Sequence, residues 1–271
     1  MKNISFQSNA LLQHFLSADK LCFSYDEAFK VLNDSSDSAV KELLRDMIRR
    51  GLLMRVKKGI YYIIPFEQDP NKFMPDWHLL VSCLVGDVKH YIGYYSALQI
   101  HGLITQPSLH EMVVVNKQVR PSTMMVKNTA YQFIYHNEKH FFGVKKTWID
   151  PYHKVLCSDL EKTLIDCLFK PEYSGGVVEI AKAIHAAQNK IDFNKLLKYC
   201  IQFDSQAVIK RLGFILDVLD ISNPIRKDLQ KMKTTTFALL DTELPKTGKR
   251  SGVWSIQENL DLETIKSAVY T

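Results

Sequence analysis

The first 65 residues combine three helical patterns with two short β-prone runs, in that order along the chain. Apolar residues recur at helical spacing in segments 9–18 and 37–50, and segment 24–33 begins with a serine suited to capping a helix. The β-prone runs 52–56 and 60–64 are joined by Lys-Lys-Gly, which indicates a hairpin with a tight basic turn. The order helix, helix, helix, hairpin is typical of a winged helix-turn-helix domain.

The rest of the chain differs in pattern from this N-terminal part. A polar segment with two prolines follows the hairpin and has the composition of a linker. Beyond it, helical patterns alternate with strand-like runs, and Ser158 and Glu161 have the spacing of a capping box that starts a helix. We therefore predict an α+β fold, with a winged helix-turn-helix over 1–66, a linker over 67–76 and a larger mixed α/β domain over 77–271.

The composition excludes several classes of protein. Hydrophobic residues make up 46% of the chain and charged residues 24%, as in an ordinary globular protein. No apolar run approaches the roughly 18 residues of a membrane-spanning helix, and the N-terminus lacks the apolar core of a secretion signal. The five cysteines form no CxxC pair, and their odd number argues against a disulfide framework. We expect a cytoplasmic protein with buried free thiols and no membrane partner.

Positive charge is concentrated between residues 41 and 58. Seven lysines and arginines stand there against two acidic residues, whereas the whole chain has a net charge of +6. On the third helix, Lys41, Arg45 and Arg49 recur every four residues and form a basic ridge opposite the apolar stripe. Duplex DNA carries one phosphate charge per roughly 1.7 Å of its axis, so this ridge indicates DNA binding.

Two features of the third helix refine this prediction. Ser36 and Ser38 stand at its start, where helix-turn-helix proteins place side chains that contact bases. Glu42 and Asp46 stand among the basic residues, and pairing with the neighbouring arginines would occupy cations that could otherwise contact phosphates.

The remaining polar residues give weak signals for catalysis. His136 and His140 are four residues apart but lie between strand candidates, so we expect two surface imidazoles in a turn and no metal site. Asp217 and Asp220 lie three apart on a helical pattern, and no phosphate-loop, dinucleotide-binding or nucleophile-elbow motif occurs. We expect no enzymatic activity, no catalytic residue, no metal and no cofactor.

Three segments resemble AbiEi-family antitoxins of type IV toxin–antitoxin systems, which act in abortive infection. The segment SAVKELLRDMIRRGLLMRVKKGIYYI is similar to the N-terminal module of that family. The segments YIGYYSALQIHGLITQP and SDLEKTLIDCLFKPEYSGGVVEIAKAI look like the two most recognisable blocks of its C-terminal region. The likeness covers most of the chain.

The resemblance implies a protein with two activities. The winged helix would bind repeats in the operon promoter and repress transcription. The C-terminal domain would counter a nucleotidyltransferase-like toxin without forming a stable complex with it. Carried onto this sequence, the DNA contacts are Ser36, Ser38, Lys41, Arg45, Arg49, Arg55, Lys57 and Lys58. The resemblance assigns no antitoxic residue.

Two alternatives stay open at the level of sequence. The protein would be a stand-alone transcriptional regulator if its C-terminal domain senses a ligand or another protein through a pocket lined by segment 94–102. A hydrolase or transferase using His136, His140 or the pair Asp217 and Asp220 would account for a C-terminal domain larger than DNA binding needs.

Overall fold

Contacts divide the chain into two units, Met1–Val88 and Lys89–Thr271. The computed structural model describes residues 5–104, 106, 108 and 110–269. Thr105 and Pro107, which belong to a segment that resembles AbiEi antitoxins, lie outside the described residues.

Among the described residues, the first unit contains four helices and a small sheet. Its elements are α1 (Phe6–Ser17), β1 (Cys22–Ser24), α2 (Tyr25–Val31), α3 (Asp37–Arg49), β2 (Leu53–Lys57), β3 (Ile60–Ile63) and α4 (Leu80–Val85). The strands are antiparallel in the order β1-β3-β2. Leu11 and Phe15 of α1, Leu44 of α3 and Phe23 of β1 meet in one buried core. The predicted three helices and hairpin are thus present, with a short strand added between the first two helices.

Local sequence explains where these helices begin and end. A capping box starts α2: the Ser24 hydroxyl accepts from the Glu27 backbone N–H, and the Glu27 carboxylate accepts from the Ser24 backbone N–H. The hydroxyl of Ser36 caps α3 by accepting a backbone N–H from its first turn. Gly51 follows α3 with a φ of 70°, a left-handed conformation in which a side chain would be strained.

The stretch 67–88 belongs to the first unit and is not a free linker. Pro70 lies so close to Gly51 that an added Cβ would overlap its ring. Helix α4 then packs on strands β2 and β3. The second unit therefore begins at Lys89, later than the predicted start at residue 77.

A disulfide fastens α4 to the sheet. Cys22 of β1 and Cys83 of α4 are bonded, with their Cα atoms 5.9 Å apart. The expectation that all five thiols are free is wrong, because the chain brings together two cysteines that are 61 residues apart. The other three, Cys157, Cys167 and Cys200, are free and buried as predicted.

A mixed six-stranded sheet organises the first half of the second unit. Its elements are β4 (His90–Ile92), α5 (Tyr94–Ile100), β5 (His110–Val115), β6 (Thr123–Val126), β7 (Thr129–Tyr135), β8 (Val144–Trp148) and β9 (Lys154–Ser158). The strand order is β6-β7-β5-β4-β9-β8, with parallel pairs β5–β7 and β4–β9 and antiparallel pairs elsewhere. Strand β8 is therefore an edge strand.

Helices dominate the second half of this unit. The elements are α6 (Leu160–Phe169), α7 (Gly176–Ala187), α8 (Phe193–Phe203), α9 (Gln206–Val218), α10 (Arg226–Met232), β10 (Ala238–Leu239), β11 (Lys249–Ser251), β12 (Ile256–Glu258) and α11 (Leu262–Val269). Strands β10, β12 and β11 form a small sheet in that order. Trp254 lies against Gly213 of α9, where an added Cβ would come within 2.5 Å of the indole ring. Only glycine permits this contact.

The α+β class is confirmed: an N-terminal helical unit precedes a larger unit that mixes sheet and helices. The predicted capping box at Ser158 is wrong. Ser158 ends β9, and Asp159 caps α6 by accepting from the Lys162 backbone N–H. Within the part of the chain that the structure describes, no helix is both long and apolar enough to cross a membrane.

Candidate nucleic-acid interface

Helix α3 buries one side and exposes a polar side. Val40, Leu44 and Met47 are fully buried in the core of the first unit. Ser38 and Lys41 lie on the opposite, exposed side, which follows from the 3.6-residue helical period. The predicted contact residues of this helix are all exposed: Ser36, Ser38, Lys41, Arg45 and Arg49.

Acidic neighbours pair with the cations of this face, as the sequence suggested for Glu42 and Asp46. Arg45 binds the Glu42 carboxylate at 3.0 Å, and Arg49 binds Asp46 at 2.5 Å. Arg50 also reaches Asp46, at 2.6 Å. The Arg45–Glu42 pair is exposed on both sides and contributes only about 0–1 kcal/mol, so a phosphate oxygen can replace the carboxylate at small cost. Asp46 is largely buried, but it keeps Arg50 as a partner when Arg49 turns to a phosphate.

Lys41 is held at the start of the helix by two partners. Its ammonium contacts the Asp37 carboxylate at 2.6 Å and lies 5.8 Å from the centre of the Tyr25 ring. The hydrogen bond from Lys41 and a second one from the Tyr25 hydroxyl lower the pKa of Asp37. Lys41 is therefore oriented beside the cap of α3, next to Ser38.

The β2–β3 hairpin, with its basic residues Arg55, Lys57 and Lys58, is called the basic hairpin below. Arg55 and Lys58 are exposed and make no ion pair among the residues that the structure describes. Gly59, with a φ of 76°, makes the turn. These two cations stand where a bound polyanion could reach them.

Lys57 is placed differently from its neighbours. Its ammonium donates to the backbone carbonyl of Leu84, at the end of α4, over 2.7 Å. Burial lowers the pKa of Lys57. The sequence grouped Lys57 with the phosphate contacts, but the structure commits its ammonium to holding α4 on the hairpin.

Sequence reasoning missed a polar cluster inside the second unit. Lys162 and Asp166 of α6 form an ion pair, and both side chains are inaccessible to solvent. The Lys162 ammonium also donates to the Tyr91 hydroxyl at 2.9 Å, and that hydroxyl donates to Asp166 at 2.9 Å. The available signal was a lysine and an aspartate four residues apart on one helix. These buried charges link α6 to β4.

His136 belongs to the same cluster and corrects the prediction of a surface turn. It is buried, and its Nε2 shares a 2.6 Å hydrogen bond with the Tyr94 hydroxyl. Its Nδ1 has no hydrogen-bond partner among the described residues and lies 3.9 Å from the Asp166 carboxylate. Burial lowers the pKa of His136 to about 2, so the ring is neutral.

His140 lies beside His136 but serves packing. Its ring stacks on Phe203, with centroids 3.7 Å apart, and its Nε2 reaches the Phe203 carbonyl. Within the described ranges, no group of three or more His, Cys, Asp or Glu side chains could hold a metal ion. The cluster links α6 to β4 through Tyr91 and to His136, the residue that follows β7.

Comparisons with known proteins show similarity at the level of fold. No family model matches the sequence, and no curated protein matches it. A solved structure, that of the Rv2827c protein from Mycobacterium tuberculosis, superposes with a TM-score of 0.68 over 99% of this chain and 96% of the other, at 12% sequence identity. At that identity the likeness concerns the fold alone.

Proposed function

We propose that this protein is a DNA-binding repressor and antitoxin whose first unit is a winged helix-turn-helix. The observation that carries the DNA-binding part is the exposed polar face of α3, capped by Ser36 and lined by Lys41, Arg45 and Arg49, in one unit with the basic hairpin. The order helix, strand, helix, helix, hairpin supports the winged-helix assignment.

The contacts differ in their chemical role. Ser38 and Lys41, at the start of α3, take part in reading base edges in the major groove. Arg45 and Arg49 exchange their carboxylate partners for phosphates. Arg55 and Lys58 of the basic hairpin, together with those arginines, anchor the backbone of the duplex.

The test is a binding titration on a duplex from the promoter of the protein's own operon, with a shuffled duplex as reference. For about five neutralised phosphates, log K falls with log salt at a slope near −4 to −5. Replacing Arg55 and Lys58 by alanine weakens binding to both duplexes equally and reduces the slope by about 2. A slope near zero for the unmodified protein would contradict the proposal.

Three further variants separate reading of the bases from anchoring on the backbone. Ser38→Ala or Lys41→Ala reduces the preference for the operator by roughly 1–3 kcal/mol per lost base contact. Lys57→Ala is the matched control in the basic hairpin: its ammonium is occupied by the Leu84 carbonyl, so the salt slope stays unchanged. If Lys57→Ala lowers the slope while Arg55→Ala does not, the assigned contacts are wrong.

The antitoxin part of the proposal is supported by the resemblance of three segments to AbiEi antitoxins. The second unit counters a nucleotidyltransferase-like toxin without a stable complex. A promoter-binding repressor acts in the cytoplasm, where the bond between Cys22 and Cys83 is open to reduction. Co-expression with the open reading frame next to its gene tests this: cells recover growth when the full chain is present. Growth arrest in cells that express the full chain would contradict the antitoxin part of the proposal and leave only the repressor part.

A further inference from the structure

Among the described residues, no strand pairs with the outer edge of β8. The backbone N–H of Ile149 donates to the His153 carbonyl, and that of Asp159 donates to the Gly143 carbonyl. In an antiparallel pair the hydrogen-bonded positions alternate, so the odd-numbered residues of β8 bond to β9. The N–H and C=O groups of Val144, Lys146 and Trp148 therefore point to the open edge of the sheet.

The side chains on this edge are both apolar and basic. Trp148 is 57% exposed, Leu156 39%, and Tyr152, in the β8–β9 turn, 85%. Lys146 lies opposite Leu156 and Trp148 opposite Lys154, so these four share one face. We call the edge of β8 with this face the β8 surface.

Protection of the edge strand against pairing with other chains explains the lysines but not the exposed apolar side chains. Lysines on an edge discourage strand pairing with other chains. An exposed tryptophan beside a leucine works in the opposite direction, because it offers apolar area to a partner. The ammonium of Lys154 lies 4.0 Å from the centre of the Trp148 ring, which holds the indole against its own hairpin. The β8 surface therefore presents Trp148 in a position that its contact with Lys154 holds.

The positive charge of the β8–β9 hairpin favours an acidic partner. Lys145, Lys146 and Lys154 are exposed on this hairpin. A second copy of the chain pairing through β8 would bring like charges together, which is unfavourable. Aromatic and basic residues also suit single-stranded nucleic acid. A nucleic acid, however, does not pair with the outward backbone N–H and C=O groups of β8. An extended peptide does pair with these groups.

We propose that β8 accepts an extended, acidic segment of another protein as an additional strand. Main-chain hydrogen bonds form with Val144, Lys146 and Trp148. Apolar side chains of the segment pack on Trp148 and Leu156, and its carboxylates pair with the lysines. This inference concerns the second unit and does not depend on DNA binding.

The experiment is a titration of the full-length ¹⁵N-labelled protein with the capped peptide Thr-Val-Thr-Glu-Thr-Val-Thr-Glu, whose valines and glutamates lie on one face of an added strand. The amide signals of Val144, Lys146 and Trp148 shift on binding, while those of the opposite edge strand β6 stay in place. Added salt weakens binding, because the lysines contribute by charge. The same peptide with lysine in place of glutamate does not bind.

Two changes address the backbone edge directly. Lys146→Pro removes an outward N–H without removing a bond to β9, and weakens binding roughly tenfold more than Lys146→Gln, which keeps that N–H. Should the proline variant unfold, the unmodified protein is titrated with a peptide whose backbone nitrogens are methylated. This peptide cannot donate main-chain hydrogen bonds to β8 and fails to bind.

Three results would overturn the proposal. The first is an absence of shifts in β8 at saturating peptide concentrations. The second is equal binding of the N-methylated and unmodified peptides. The third is binding of oligothymidylate at β8 while the acidic peptide does not bind, which would assign this surface to single-stranded nucleic acid.

Discussion

At the scale of single residues, the Lys162–Asp166 pair is the most demanding feature of the second unit. Both side chains lack solvent contact, and the transfer of two charges out of water costs several kcal/mol per ion before their attraction is counted. Burial raises the pKa of Asp166 and lowers that of Lys162, whereas their mutual attraction opposes both shifts. The Tyr91 hydroxyl links the two side chains and so completes the hydrogen bonding.

We predict that Lys162→Met destabilises the second unit by about 3–5 kcal/mol, because it leaves a buried carboxylate without its cation. Adding Asp166→Asn recovers a large part of this loss, since the amide oxygen still accepts from Tyr91 and carries no charge. Urea unfolding, followed by the fluorescence of buried Trp254, measures both variants. Equal stability of the single and double variants would contradict the prediction, because it would mean that the Asp166 carboxyl group is protonated in the folded Lys162→Met variant.

His136 makes stability depend on pH. Its pKa falls from 6.5 in the unfolded chain to about 2 in the fold. Below pH 6.5 the unfolded chain therefore binds a proton that the folded protein does not, and stability decreases by about 1.4 kcal/mol per pH unit. We predict that His136→Gln removes this contribution. Urea unfolding at about pH 6 and about pH 5 tests it, and an unchanged slope in the variant would contradict it.

At the scale of elements, α4 packs on the small sheet of the first unit, and two specific contacts reinforce this packing. The disulfide between Cys22 and Cys83 and the hydrogen bond from Lys57 to Leu84 both join it to the small sheet. The basic hairpin is thus stabilised by contacts with α4, a helix that lies outside the hairpin in the sequence.

We predict that reducing the disulfide lowers the stability of the first unit by about 4 kcal/mol, because the bond closes a long loop in the unfolded chain. Thermal unfolding with and without a phosphine reductant measures the loss. The double variant Cys22→Ser and Cys83→Ser is the control and does not respond to reductant. Five titratable thiols, in place of three, in the denatured unreduced protein would show that the bond is absent.

At the scale of the whole molecule, each unit has its own buried core. Leu11, Phe23 and Leu44 belong to one, and Leu164, Ile184 and Trp254 belong to the other. A unit with its own core and internal hydrogen bonds can fold without the other.

We predict that fragments 1–88 and 89–271 fold separately, with the first binding operator DNA and the second protecting cells from the toxin. A fragment ending at residue 66 lacks α4 and Cys83, and is less stable than 1–88 by several kcal/mol. Circular dichroism with operator titration tests the first unit, and growth during toxin induction tests the second. Protection by 1–88 alone would show that neutralisation acts through transcription.

The helices of the first unit were predictable because their signals are local. The third helix was expected over 37–50 and spans Asp37–Arg49, and Ser24 caps α2 as predicted. Periodicity and caps act within one or two turns, so a short stretch of sequence contains them. The three-residue strands β1 and β4 were missed, since so few residues carry no periodicity of their own.

Sequence alone therefore determined the helical spans, the α+β class and the exposed positions of Ser38, Lys41 and Arg45. Tertiary structure decided which distant residues meet: Cys22 with Cys83, Lys57 with the Leu84 carbonyl, and Lys162 with Tyr91. Such partners are tens of residues apart, and their meeting depends on the path of the whole chain. The free energy of any one of these contacts is small beside the entropy of ordering the chain between them, so the core as a whole selects them.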